Sequence, residues 1–145
     1  MVNAGEGQER ANLEDQASRL GVREGVSFTG VIKDIDSYYH QASLFVLSSR
    51  YEGFPNVLAE AMAAGVACIS FDCPYGPASI IRHQQTGILV PPEDVEALAE
   101  NLAWMAGHPQ LRKELSLRGR QDIRERFNLK NIMDQWEGVI REVIG

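Results

Sequence analysis

The feature that most restricts the fold is a series of short apolar runs, at residues 26–28, 44–47, 67–71 and 88–90, separated by segments with helical spacing. The runs show no sustained alternation of polar and apolar residues. Strands built from them must be covered on both faces, as in a parallel sheet. Helical spacing is found at residues 9–20, 35–42, 55–64 and, as one short turn, 78–81. Strand and helix therefore take turns, the order expected of a Rossmann-like, doubly wound α/β layer with right-handed crossovers. From residue 93 the chain reads as helix. Val95, Leu98, Ala99, Leu102 and Met105 share one face, and Ile132, Met133, Trp136, Val139, Ile140 and Val143 share another. Both faces are expected to pack over the sheet.

Gly21, Gly65 and Gly107 each stand where a helix would end in the left-handed conformation. Pro55 and Pro109 stand where a first helical turn accepts proline. Residues 1–4 read as the end of a strand leading into the turn Gly5-Glu6-Gly7. That strand looks cut short, so a preceding segment is expected to be missing from the sequence.

The chain has 145 residues, the length of one domain. Fourteen Lys and Arg against twenty Asp and Glu leave a formal charge of −6, which argues against a surface built to coat nucleic acid or an anionic membrane. No apolar stretch reaches the roughly 18–20 residues of a spanning helix. The first residues lack the basic head and apolar stretch of an export signal, so a cytoplasmic setting is expected. Cys68 and Cys73 enclose four residues, a spacing that suits neither a redox pair nor a zinc knuckle. Cys68 reads as core filler.

The segment most able to carry chemistry runs from Ser48 to Gly65, from the end of a buried strand through a loop into a helix. In open α/β sheets, ligands bind beyond the carboxyl ends of the strands. The amides and dipole of the following helix suit a phosphate, and Gly53 would let a ligand approach the backbone closely. Arg50 adjoins this site as a candidate phosphate contact. Glu60 lies in line with Val57, Ala61 and Ala64, on or beside the apolar stripe, roughly 7 Å along the axis from Pro55. A carboxylate there is costly unless something hydrogen-bonds to it. A ribose diol would serve, and Glu52 could receive the hydroxyls of a second sugar. On geometry alone two other readings stay open. Both acids could simply favour a helix N-terminus, or they could form a glycosidase acid and nucleophile pair. The second is disfavoured because Glu60 sits inside a helix.

Glu52, seven residues and Glu60, set in Glu-Gly-Phe-Pro-Asn-Val-Leu-Ala-Glu-Ala-Met-Ala-Ala-Gly, resemble the E-x7-E signature of retaining family-4 glycosyltransferases with the GT-B fold. Three further segments resemble that family's donor-binding domain in the same order. They are Val26-Ser27-Phe28-Thr29-Gly30, Thr86-Gly87-Ile88-Leu89-Val90-Pro91-Pro92 and the Gly5-Glu6-Gly7 turn. The likeness covers nearly the whole chain. It implies that residues 1–145 form a nucleotide-sugar-binding domain, one half of a GT-B fold, with the acceptor-binding domain outside them.

The resemblance assigns roles residue by residue. Glu60 would hold the ribose hydroxyls, and Glu52, the one residue in a catalytic role, those of the donor sugar. Backbone amides around Gly53, Phe54, Asn56 and Val57 would meet the diphosphate or sugar. Peptide groups near Gly30 and Val31 would meet the base. The implied reaction moves a hexose or N-acetylhexosamine, from a UDP-linked donor, to a hydroxyl of a glycan or lipid-linked acceptor with retention. No cofactor or metal is expected, since amides, dipole and basic side chains neutralise the leaving diphosphate. The basic residues that grip the diphosphate in this family would precede Met1, so the chain by itself is expected to bind nucleotide weakly and to transfer nothing. Arg112, Lys113, Arg118, Arg120, Arg124 and Arg126 concentrate positive charge in a late helical region and read as a solvated face, with peripheral contact of the full-length enzyme with the inner membrane as the alternative. Residues 71–81 resemble the F-D-C-P-x-G-P-x-E-I-I stretch of polysaccharide- and glycan-assembly members, with Ser79 in place of the Glu.

Other signals are weaker. Asp34-Ile35-Asp36 matches a D-x-D metal triplet but opens a helix, where aspartates cap amides. His40, His83 and His108 lack metal-ligand spacing. Gly5-Glu6-Gly7 has Arg10 where a dinucleotide fingerprint wants its third glycine. Two other functions compete with sugar transfer: a sugar-nucleotide epimerase of the same architecture, and a non-catalytic interaction module.

Overall fold

The computed structural model describes residues 1–144, which form two compact units, one of residues Met1–Ser37 and one beginning at Tyr38. In the first, β1 (Val2–Ala4) and β2 (Ser27–Gly30) pair in parallel across α1 (Arg10–Arg19) and a 3-10 turn (Arg23–Gly25). The register slips between Asn3 and Ala4, and Gly30 takes up the slip at φ 68, where its carbonyl accepts from the Gly5 amide at 2.9 Å. Glycine adopts that conformation without a Cβ clash. The boundary between the units falls inside α2 (Ile35–Gln41). The Asp34 carboxylate accepts from the Ser37 amide at 3.3 Å, so the first aspartate of the D-x-D triplet is a helix cap.

The second unit alternates β3 (Phe45–Leu47), α3 (Asn56–Ala64), β4 (Cys68–Phe71), α4 (Pro77–Ile80) and β5 (Ile88–Val90), then continues as α5 (Val95–Gly107), α6 (Pro109–Arg126) and α7 (Leu129–Ile144). Its three strands lie in the order β3-β4-β5, all parallel. The expected α/β architecture is present, with its strands divided between a two-stranded and a three-stranded sheet.

All four residues of β4 are buried. Ile69 and Phe71 lie in one core with Ile88 and Val90 of β5, Leu98 and Met105 of α5, and Leu115 of α6. Cys68 and Ser70 point the other way by the two-residue period of a strand, toward the side where α3 packs on β3 and β4. Burial on both faces is what the unbroken apolar run required. α3 stops at Gly65, φ 86, where the Val66 amide reaches back to Ala61 O and the Gly65 amide to Met62 O, both at 3.0 Å. These two bonds satisfy the last carbonyls of the helix.

Two expectations fail here. Gly107 is the last residue of α5 and is not left-handed. Arg112 instead donates to the carbonyls of Met105 and Ala106, at 2.5 and 2.7 Å, so the helix end needs no glycine turn. α7 does not pack over the sheet. None of its residues is buried, and Trp136 on its apolar face is 60% exposed. The sheet face it would have covered is already filled by α5 and α6.

Gly119 sits where α6 crosses α3. A Cβ there would lie 2.8 Å from the Thr86 carbonyl oxygen and 3.1 Å from Met62 Cε. Alanine would gain about 0.5–1 kcal/mol in helix preference, but pushing a backbone carbonyl aside costs about 1–3 kcal/mol. Gly119→Ala is therefore expected to lower the urea midpoint; a midpoint at or above that of the unsubstituted chain would show that α6 does not rest on this turn.

Burial pushes the Cys68 thiol well above its ordinary range. The unfolded thiol releases its proton near pH 9 while the folded one keeps it, so this contribution is complete below pH 9 and is lost as pH rises. The expected loss approaches about 1.4 kcal/mol per pH unit. Stability measured from pH 8 to pH 10 should fall less steeply for Cys68→Ala.

Candidate functional site

β3 and β4 deliver their carboxyl ends into two neighbouring loops, residues 48–55 and 72–76. The loops touch at Gly76, where a Cβ would lie 2.9 Å from Pro55 Cδ and 3.0 Å from Glu52 Cβ. Only glycine allows that approach. Cys73, at 3% exposure, lies beneath the junction. Its thiol is held above the ordinary range by burial first and by the negative charge of Glu52 second. The Cβ of Glu52 thus packs close against Gly76, and its side chain is half-buried. At Gly53 a Cβ would meet open space, so the domain's own packing does not demand glycine there.

Pro55 caps α3 without any side-chain hydrogen bond, and the Leu58 and Ala59 amides turn back to its carbonyl at 2.9 and 3.3 Å. The amides of Asn56 and Val57 belong to the first turn, which has no intrahelical acceptors to offer them. They share the positive end of the helix dipole with the exposed side of the loop.

Glu60 departs from the sequence expectation. The buried stripe of α3 is Leu58, Ala61 and Met62, and Glu60 lies away from it, exposed. At 100° per residue, Glu60 is 200° from both Leu58 and Met62, so it points to the other side of the helix. It faces solvent, so no ligand is needed to offset a cost of burial. Tyr39, itself buried, places its hydroxyl 3.3 Å from Glu60 Oε2 and 3.3 Å from the Val57 carbonyl oxygen. With one proton, the phenol donates to one acceptor at a time. The ring stands edge-on to Phe45, centroids 6.1 Å apart, which fixes the hydroxyl from the sheet side.

The sequence profile of the family described as Glycosyl transferases group 1 matches residues 1–122. The chain belongs to this family. Among its relatives is an alpha-1,4-N-acetyl-D-galactosaminyltransferase of Campylobacter jejuni, 33% identical over 99% of this chain and 39% of its own length. An exopolysaccharide phosphotransferase of Streptomyces coelicolor is 36% identical over 97% of this chain and 15% of its own. The solved sucrose-phosphate synthase of Thermosynechococcus elongatus superposes with a TM-score of 0.82 at 30% identity, covering 99% of this chain and 37% of that one. The glycosyltransferase resemblance carried by the four motifs holds for family and for fold. The chain spans under two-fifths of the length of these curated relatives.

Within the second unit, the chain brings Glu52, Gly53, Phe54, Asn56, Val57 and Glu60 together on one loop and helix. Arg50 joins the same loop but forms an exposed ion pair with Glu93 at 3.1 Å, a contact worth little and easily exchanged. Gly30 and Val31 belong to the first unit, Gly30 buried and Val31 exposed. A Cβ on Gly30 would lie 3.1 Å from Glu6 Oε2. Arg10 donates to the Phe28 carbonyl at 3.1 Å and is paired with Glu6 and Glu14, whose hydrogen bonds raise its pKa. Ser79, in the place of the family's Glu, closes the first turn of α4 by donating to the Gly76 carbonyl at 2.6 Å. His83 Nδ1 accepts from the Leu89 amide at 3.0 Å, a structural role in the turn before β5.

Sequence reasoning missed Tyr39 and Phe127. No motif marks either, since each acts through a contact distant in the chain. Phe127, just past α6, packs edge-on to Phe54 at 5.6 Å between centroids. Arg126 lies over the Phe127 ring at 4.8 Å, pairs with Asp122 and donates to the Ser79 and Ile80 carbonyls. Asp122 is also paired with Arg82, at 3.2 Å. The end of α6 therefore clamps both the loop that holds Glu52 and the end of α4. Arg112 and Arg126 are carbonyl ligands, not members of a solvated basic face.

Phe127→Ala removes the ring that backs Phe54, a contact worth about 0.5–1.5 kcal/mol beyond burial. Faster amide exchange is expected at residues 52–57 with β4 unchanged; unchanged exchange throughout would show that Phe54 holds its place without this partner.

Proposed function

We propose that this chain is the donor-binding half of a retaining glycosyltransferase that moves a hexose or N-acetylhexosamine from a UDP-linked donor to a hydroxyl of a glycan or lipid-linked acceptor. The observation that carries the proposal is the α3 N-terminus. A helix without a side-chain cap opens from a loop beyond the strand ends, with a carboxylate before it at Glu52 and another on its exposed side at Glu60. A diphosphate suits the free amides of Asn56 and Val57 and the positive helix end. The two carboxylates then stand ready for sugar hydroxyls on either side of it, the ribose at Glu60 and the donor sugar at Glu52.

In this scheme Glu52, Gly53 and Phe54 hold the reacting sugar, and Gly30 and Val31 meet the base. Arg50 supplies positive charge to the phosphates on exchanging its partner Glu93. The leaving diphosphate is stabilised by amides, dipole and basic side chains without a metal ion. The acceptor-binding domain lies outside residues 1–145, so this chain binds donor and transfers nothing by itself. The name of the Campylobacter relative specifies N-acetyl-D-galactosamine as the moved sugar and a PP-undecaprenol-linked glycan as the acceptor, which supports an N-acetylhexosamine and a lipid-linked glycan here. No helix among the described residues is long and apolar enough to cross a membrane. We place the chain in the cytoplasm, with the full-length enzyme touching the inner membrane from its surface.

Because Glu60 stays solvated without ligand, its contribution rests on the hydrogen bonds it offers a diol. Bonds to a charged group are worth about 1.5–3 kcal/mol, so Glu60→Ala should weaken UDP binding roughly 10- to 150-fold by calorimetry. The loss should shrink when 2′-deoxy-UDP replaces UDP; equal UDP affinities for the two proteins would end the ribose assignment.

A further inference from the structure

The 72–76 loop holds the one large aromatic side chain in the described structure that combines a left-handed backbone with nearly complete exposure. Tyr75 sits at φ 68 and is 90% exposed. The loop around it is pinned at both ends. The Asp72 amide donates to the Val90 carbonyl at 2.8 Å, and the Gly76 carbonyl accepts from Ser79 Oγ at 2.6 Å. Gly76 is wedged against Pro55 and Glu52 Cβ. These contacts force the backbone of residue 75 into a conformation that glycine or asparagine would take at less cost. The tyrosine ring returns nothing to the domain, because among the described residues it makes no hydrogen bond or ring contact. Strain of this kind concentrates at ligand sites.

We infer that Tyr75 is a stacking platform for a pyranose ring bound beyond Glu52, an inference that rests on the nucleotide-sugar reading above. Its neighbours favour a sugar over a base. Residue 75 is one residue from the contact with Glu52, the carboxylate that serves the transferred sugar, whereas Glu60 and Tyr39 mark the nucleoside end. Tyr51, next to Glu52 on the facing loop and 80% exposed, offers a second ring on the same rim. An aromatic face presented to solvent binds the apolar C–H face of a pyranose by excluding water from both, while the carboxylate takes the hydroxyl edge. The pyranose is either the donor's sugar or a residue of the acceptor glycan, and the two sources are separated by the choice of probe.

The test uses the 145-residue chain with Tyr75→Gly and Tyr75→Phe, and three probes: UDP, UDP-N-acetylglucosamine and triacetylchitotriose. Tyr75→Gly relieves the backbone, so its thermal midpoint should equal or exceed that of the unsubstituted chain, which excludes misfolding as the cause of weaker binding. Its affinity should fall roughly 2- to 12-fold, the range of an aromatic contact, for UDP-N-acetylglucosamine if the ring serves the donor. The fall is confined to the trisaccharide if the ring serves the acceptor. Tyr75→Phe should retain binding, and saturation of aromatic protons should reach the sugar ring protons in that variant but not in Tyr75→Gly. Equal weakening toward UDP itself would place the ring on the base and overturn the inference. UDP binding with saccharide affinity unchanged in Tyr75→Gly would overturn it alone. A chain that binds none of the three probes would overturn it together with the nucleotide-sugar reading.

Discussion

The second unit depends on β4 being buried on both faces. A strand whose successive side chains, Cys68, Ile69, Ser70 and Phe71, all lie in the interior cannot face water on either side. Helices must cover it front and back, so its parallel neighbours are joined by crossovers and every strand ends on the same edge. Ile69 and Phe71 bind α5 and α6 to one face, while Cys68 and Ser70 look toward α3. The loops of residues 48–55 and 72–76 emerge at that edge as a consequence. Their apposition, sealed by Gly76 against Pro55 and Glu52, turns two connections into one rim.

On that rim, charge is held in place by neutral neighbours more than by opposite charges. Glu52 is set by the packing of its own Cβ, and Glu60 by the Tyr39 phenol. An arginine in either place would occupy carboxylate oxygens that a hydroxyl donor could otherwise use, whereas a phenol leaves about three carboxylate lone-pair sites open. Apart from Arg50, which lies on the loop itself and pairs with Glu93, the arginines of this region are engaged elsewhere. Arg112 and Arg126 close helix ends, and Arg82 joins Arg126 at Asp122 behind the loops. The site faces solvent with acids and amides, while its rear is tied by a network of cations, carbonyls and the Phe54–Phe127 pair.

The alternation of apolar runs and helical spacing, the helix-ending glycines at 21 and 65 and the Asp34 cap were all legible in the sequence, because each depends on residues close together in the chain. So was the grouping of Glu52 through Glu60, since a loop and the helix it opens are one continuous segment. The side of the helix that Glu60 occupies was not. Its neighbours Val57, Ala61 and Ala64 suggested an apolar stripe, but the buried stripe runs through Leu58, Ala61 and Met62, and only the placement of the sheet and of α6 selects between the two.

Local pattern determined the element order, the parallel α/β class, the family and the grouping of the two carboxylates on one loop and helix. Tertiary structure alone decided which of those groups stand in water, which aromatic rings back them, and which apolar faces find a partner. The amphipathic pattern of α7 is as clear as that of α5, yet α5 closes the core and α7 leaves its apolar face exposed. Periodicity states that a face can be buried. Whether it is depends on how much sheet surface the earlier helices have left, a quantity set by packing across the whole unit.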